Sequence, residues 1–424
     1  MRWRPQGLWQ QRDFVNLWLG RTISEVGSRI TRTGLPLIAA LMLGATPAQM
    51  GILAAMGAAP VLLVGLLAGV WVDRRRRRPI LIAADLGRAA LLLSIPLAFV
   101  LGRLTIEQLY VVAALTGVLT VFFDVADQSF LPGLVSREHL VEGNSKLEAS
   151  GALAEISGPA LGGVLVQTIT GPMAILLDAL SFLVSAATVF AIRKPEPPPA
   201  PPQPQANFLH EAGGGLRFIF RQPILRAIAG FESIGSFFGG FYAALYTLYA
   251  VNVVHVSPAL LGVLIAGGGI GGLLGTLITG PITRRLGRGT TMVATVVLGV
   301  GLSFNTALAA GPPLIVGVAL LLSAQVIGDC IDTVFFINAV SLRQQITPDH
   351  LLGRMNAGMH FLTGGVHPFG ILLGGALGGL IGMQNAFWLA GAGGVLAAAW
   401  IIRSPIRQLD RSPAPVAGPL VEVE

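Results

Sequence analysis

Four ionisable residues stand close together near the start of the chain: Arg21, Glu25, Arg29 and Arg32. On a helix turning ~100° per residue they fall at about 0°, 40°, 80° and 20°, which is one narrow stripe. The segment that carries them, 15–43, is otherwise largely apolar. Charges in such a setting are costly, and they are kept for ion pairs, ion pathways or polar ligands. Three arginines to one glutamate leave two positive charges unmatched on the same helix. Their partners must come from other helices or from an anionic substrate. A purely stabilising ladder is one reading, and the lining of a cavity is the favoured one. Glu25, near mid-segment, is the first candidate for a group that takes up and gives back a proton.

Two other segments carry acids in similar stripes. Thr116, Thr120, Asp124 and Asp127 share one face of 106–128, and Gln325, Asp329 and Asp332 share one face of 313–337. Asp124, Asp329 and Asp332 join Glu25 as proton-coupling candidates, because a carboxyl taken out of water holds its proton more tightly. Asp85 and Arg88, three apart, read most simply as a structural pair. Segment 224–250 carries a different signal. Phe231, Phe238, Tyr242, Tyr246 and Tyr249 fall within about 80° of arc, with Glu232 beside them. An aromatic wall next to an acid suits a large amphipathic ligand, and core packing is the alternative. The cavity and substrate candidates are therefore Arg21, Arg29, Arg32, Glu232, Tyr242, Tyr246 and Gln325.

Other chemistries find little support. The single cysteine, Cys330, gives neither a disulfide framework nor a cysteine metal cluster, and the six histidines are scattered. No metal or cofactor is expected. The only lysines are Lys146 and Lys194, and neither follows a phosphate-binding glycine pattern, so an ATPase is not expected. Nothing resembles a catalytic constellation, so an enzyme is not expected. The basic loops fit the anionic inner leaflet better than nucleic acid.

The elements that must position these residues follow from composition. Of 424 residues, 53% are apolar and only 12% charged, too few charges to cover soluble domains. Twelve apolar segments can be counted: 15–43, 48–72, 79–101, 106–128, 148–169, 172–192, 224–250, 259–282, 290–310, 313–337, 356–381 and 385–402. In a bilayer such segments are helices. With the amino terminus in the cytoplasm, 23 basic residues fall on the cytoplasmic side and only Arg103 on the other. That asymmetry places both termini in the cytoplasm. Seven prolines between Pro195 and Pro204 cannot form a span. The expected division is 1–194, a six-helix bundle; 195–222, a cytoplasmic Pro-rich linker with an interfacial amphipathic segment; 223–404, a second six-helix bundle; and 405–424, a cytoplasmic tail. The halves repeat at an offset of 211: Thr46-Pro-Ala-Gln-Met-Gly51 returns as Ser257-Pro-Ala-Leu-Leu-Gly262, Gly69 as Gly280, Arg74 as Arg285 and Arg77 as Arg288. Parallel repeats of this kind place a substrate site between the halves.

Gly69-Val-Trp-Val-Asp73-Arg74-Arg-Arg-Arg77-Arg78 resembles the loop signature of the major facilitator superfamily, with Arg76 where that family has its second glycine. The second copy, Gly280-Pro-Ile-Thr-Arg284-Arg285-Leu-Gly287-Arg288, keeps the glycine and has Arg284 in place of the acid. The resemblance implies a cytoplasmic latch built from Gly69, Asp73, Arg74, Arg77, Gly280, Arg285, Gly287 and Arg288. Gly158-Pro159-Ala-Leu-Gly162-Gly163 is similar to the core of a proton-coupled exporter signature, which implies a hinge. Asp178-Ala-Leu-Ser-Phe182, Arg343-Gln-Gln-Ile-Thr-Pro-Asp-His-Leu-Leu-Gly-Arg354 and Gly365-Val-His-Pro368 add a resemblance to the enterobactin-exporter and macrolide-efflux branch. The expected fold is all-α, with twelve transmembrane helices in two pseudo-symmetric six-helix bundles. The resemblance implies a cell-membrane secondary transporter exporting a bulky hydrophobic or amphipathic small molecule against protons by alternating access, and a monomer is expected. An importer of the same fold, or a membrane sensor or scaffold that transports nothing, are the alternatives.

Overall fold

A computed structural model describes residues 7–196 and 208–410. Among the described residues there is no strand. The helices are α1 (Arg12–Leu41), α2 (Pro47–Asp73), α3 (Arg77–Val100), α4 (Ile106–Leu134), α5 (Leu140–Ile169) and α6 (Gly171–Phe190), then α7 (Phe208–Arg221), α8 (Pro223–Asn252), α9 (Pro258–Leu286), α10 (Arg288–Ser303), α11 (Asn305–Leu308), α12 (Leu314–Ile346), α13 (Asp349–Leu380) and α14 (Met383–Ile402). Eleven spans among the described residues are long and apolar enough to cross a membrane. α1 has the length, 30 residues, but its four stripe charges keep it out of that set. Side chains such as Leu63, Leu277, Ile315 and Leu380 stand exposed on the outer faces. That suits lipid and would aggregate in water.

Local chemistry starts and stops the helices. Thr46 caps α2 in a full capping box with Gln49, and the Thr105 hydroxyl accepts from the Gln108 amide at the start of α4. The ninth apolar segment is not one helix. It breaks at Phe304 into α10 and α11, and the Tyr242 hydroxyl donates to the Ser303 carbonyl at 2.7 Å beside the break. A buried break needs such a partner.

Two compact units result. One holds residues up to 196 with Ala244–Ala266, and the other holds α7 and residues to Ala243 with Gly267 onward. In the first, α6 packs on α1 and α3, α2 and α3 on α4, and α1 on α5. Phe14, Leu17, Leu81, Phe123, Phe130 and Val189 belong to its core. In the second, α10 packs on α12 and α14, and α7 lies on α13. There Gly215 and Ile219 of α7 meet the backbone of Arg354 and Gly358.

Candidate functional site

The stripe of α1 faces a cavity of about 310 Å³ between α1 and α5. Arg21, Thr22, Glu25 and Arg29 line it from α1, and Glu148, Ser150 and Glu155 line it from α5. The α1 arginines are already engaged. Arg21 Nη1 lies 2.7 Å from Asp127 Oδ2 on α4. Arg29 reaches Glu25 Oε1 through Nη2 at 2.8 Å and pairs with Glu155 through Nη1. Arg32 is exposed, with Glu25, Asp124 and Glu155 within electrostatic reach. The two positive charges that α1 leaves over are thus met by acids of α4 and α5, so an anionic ligand is not needed to balance them.

Sequence reasoning missed Glu148 and Glu155. They are seven apart on one face of α5, a spacing that would have shown them. It also set Asp124 ahead of Asp127, whereas Asp124 is exposed and Asp127, 6% exposed, makes the contact with α1.

Behind this cavity the interior stays polar. Arg88 on α3 is 3% exposed and bonds Asp85 Oδ1 at 2.5 Å. Its guanidinium lies 4.2 Å from each of the Phe123 and Phe182 ring centroids. Cation–π contacts of this desolvated kind contribute about 2 kcal/mol or more, which helps to offset the cost of burying the charge.

In the second unit Glu232 Oε2 accepts from Arg343 Nη1 at 3.2 Å. Arg343, one of the 23 basic residues placed on the cytoplasmic side, lies in α12 and is 7% exposed. The aromatic stripe of α8 is largely packed. Phe231 stacks on Phe335, Tyr242 on Phe387, and Phe238 fills the space over Gly393. Tyr249 is fully buried, and Tyr246 is half-buried. Asp329 sits against Gly268 of α9 near Gln325, and Asp332 is exposed.

The glycines of the hinge element are used for contact. Gly158 and Gly162 admit Arg29 and Ile30 of α1, and Gly163 and Gly262 face each other where α5 crosses the start of α9. A Cβ on either of the last two would overlap the opposite backbone. Gln167 Oε1 accepts from the Ala259 amide at the same crossing.

The latch residues divide. The side chain of Asp73 lies outside the described residues. Gly69 has no neighbour within 4 Å of an added Cβ, and Gly280 has only the tip of Arg284 at 3.5 Å, so neither sits at a close helix crossing here. Arg74 and Arg285 are exposed. Arg77 and Arg288 are held within their own units. The Arg77 amide donates to Glu196 at 2.5 Å, and Arg288 Nη1 donates to Gln345 at 2.5 Å. Gly287, at φ +85, starts α10 in a backbone conformation that favours glycine.

Comparison with known proteins fits this architecture. The multidrug efflux pump Tap of Mycolicibacterium fortuitum is 30% identical over 349 residues, covering 79% of this chain and 82% of that one. The enterobactin exporter EntS of Citrobacter koseri is 25% identical, covering 81% and 80%. The crystal structure of a bacterial homologue of the iron transporter ferroportin in the inward-facing state shares the fold. Its TM-score is 0.74 at 18% identity, over 94% of this chain and 99% of that one. The profile described as Major Facilitator Superfamily matches residues 17–357. With its apolar helices and that match, the chain belongs to the major facilitator superfamily and is a multi-pass transporter of the cell membrane, not an enzyme.

Proposed function

We propose that this transporter exports a bulky hydrophobic or amphipathic small molecule, of the drug, macrolide or siderophore-like kind, in exchange for protons by alternating access. The observation that carries the reading is the α1–α5 cavity. Its volume, about 310 Å³, is at the lower end of small-molecule sites. Its walls bring Glu25, Glu148 and Glu155 against Arg21 and Arg29, both already paired. A surplus of carboxylates in a membrane-embedded cavity attracts protons and cationic or amphipathic ligands, which can then compete for the same acid. Names of the relatives above, a multidrug efflux pump and an enterobactin exporter, support export as the direction.

In this reading α1 is the twelfth span, crossing with its charges turned into the protein, and both termini are cytoplasmic. Residues 1–194 and 223–404 are the two bundles, joined by the linker 195–222 and followed by the tail 405–424, in a chain that works as a monomer. Glu25 is the coupling acid, with Asp124, Asp329 and Asp332 in reserve. Asp73 and the loop arginines latch the cytoplasmic side, and the crossing at Gly163 is the hinge.

The test uses proteoliposomes with an acidic interior and ethidium as the probe. Wild-type protein in the inside-out orientation accumulates ethidium, and a protonophore abolishes the accumulation. Glu25→Gln retains ethidium exchange without a gradient but loses uphill accumulation by at least tenfold. Undiminished pumping by Glu25→Gln removes Glu25 from the coupling role. Ethidium movement indifferent to the gradient removes proton coupling.

A further inference from the structure

The cavity uses one side of α1. On another side lies a carboxyl that the reading above leaves idle. Asp178, on α6, is 1% exposed. With Ser181 it packs directly on Gly27 of α1, where a Cβ would overlap both side chains. At ~100° per residue Gly27 and Thr31 lie about 240° and 280° around from Arg21, away from the charged stripe.

Few charges face Asp178. α1 offers Gly27 and the Thr31 hydroxyl. α3 brings Asp85 and Arg88 within electrostatic reach. The ionisable groups of α5 are occupied elsewhere: Glu142 with Lys146 at 3.3 Å, Glu155 with Arg29, and Glu148 at the cavity. α6 has no other ionisable residue. Among the described residues no ion pair includes Asp178.

Burial without an ion pair sets its state. Ser181 Oγ lies 2.7 Å from the Asp178 carbonyl oxygen and 3.0 Å from Asp178 Oδ1. A serine hydroxyl has one proton to give. The shorter contact takes it, in the same i−3 back-bond made by Ser94, Ser303 and Ser323. The 3.0 Å contact to Oδ1 is met either by sharing that proton or by a proton on the carboxyl. A carboxylate there would have only the Thr31 and Ser181 hydroxyls, out of water and with no cation in contact, which is costly. Arg88, ion-paired to Asp85 and with its Nε buried without an acceptor, is the cation within electrostatic reach of the ionised form.

We propose that Asp178 is a second proton-binding group of the transporter, separate from the cavity: a neutral carboxylic acid bonded to Ser181 that, on losing its proton, becomes a carboxylate in the field of the Asp85–Arg88 pair. Its place in transport rests on the proton-coupled reading, but its protonation does not. Infrared spectroscopy of the full chain in liposomes tests the protonation without any substrate. At neutral pH the wild type shows the carbonyl stretch of a protonated carboxyl. The band is missing in Asp178→Asn, shifts in Ser181→Ala, and persists to higher pH in Arg88→Gln, where the ionised form loses its cation. Identical carbonyl spectra for wild type and Asp178→Asn overturn the proposal. In the ethidium assay Asp178→Asn, locked neutral, loses gradient-driven accumulation at least tenfold and keeps exchange within about twofold. Full accumulation by this variant, or loss of exchange as well at an unchanged melting temperature, overturns the role in transport. A wild type that ignores the gradient overturns only the coupled reading, and the infrared arm still decides the state of Asp178.

Discussion

Arg21 and Asp127 tie α1 to α4 at 2.7 Å, with the arginine side chain 32% exposed to the cavity and the acid 7% exposed behind it. Removing one partner leaves the other half-desolvated. Because Arg21 keeps some access to water, the cost stays below that of a fully closed pair. Arg21→Gln, which strands the buried carboxylate of Asp127, is expected to lower stability by about 1–3 kcal/mol, and Asp127→Asn, which leaves the more exposed arginine, by less. A double-mutant cycle read by thermal melting in detergent should give a coupling of about 1 kcal/mol. Simple additivity of the two losses would mean that the pair does not hold the helices together. Periodicity explains what could be read here beforehand. The stripe of α1 is local, set by ~100° per residue, and so it stood out in the sequence. Its partners did not. Asp127 and Glu155 are more than a hundred residues away along the chain, and no spacing rule links one helix's phase to another's.

The helix ends carry a second level of order, repeated in both units. After α6 the chain is sewn down. The Arg193 and Lys194 amides donate to Asp13, Lys194 Nζ donates to the Leu134 carbonyl at the end of α4, and Glu196 accepts from the Arg77 and Arg78 amides at the start of α3. Arg78 returns the contact by donating to the Val189 and Phe190 carbonyls of α6. After α14, Asp410 does for α10 what Glu196 does for α3. It accepts from the Gly289 amide at 3.0 Å and the Thr290 amide at 2.7 Å, and from the Thr290 hydroxyl at 2.8 Å. Orphan N–H groups at a helix start favour such a carboxylate. The internal repeat was legible in the loops, but these two acids were not, because they lie among the residues read as linker and tail. Burial pushes the Asp410 carboxyl up, and the amides of Thr290, Gly289 and Arg288 with the Thr290 hydroxyl outweigh it, holding the group below its ordinary value. The stabilisation is therefore complete above the unfolded value of about 3.9 and fades as pH falls through the lower folded one. Asp410→Ala is expected to cost about 1 kcal/mol at neutral pH. Its melting temperature should run parallel to that of the wild type down to mildly acidic pH and converge only in strong acid. Convergence already near neutrality would contradict the clamp.

For the molecule as a whole, the count of spans decides the topology. Among the described residues eleven spans qualify by length and composition alone. An odd number of crossings would put the termini on opposite sides, and in the proposed topology α1 is the twelfth crossing and returns them to one side. The physics favours crossing. The charges of α1 are met inside its own unit by Asp127, Glu25 and Glu155, and its other face packs on α6, so little of its polarity need reach lipid. Composition alone passes over α1, because charges weigh against a span whether or not they are paired, which is the same gap that hid those partners at the residue scale. In the proposed topology the basic residues give the direction: without Arg343, 22 lie on the side assigned to the cytoplasm, against Arg103 alone on the other. Cys330 is the only cysteine, so Cys330→Ser gives a blank background. Single cysteines at Gly102, in the α3–α4 connection, and at Ser136, in the α4–α5 connection, then report opposite faces, and cysteines added at each terminus report α1. In intact cells an impermeant maleimide is expected to label the Gly102 site only. The Ser136 site and both termini should label only after the membrane is opened. Labelling of one terminus alone in intact cells would show that α1 does not cross, and the buried pairs of its stripe would then need another explanation.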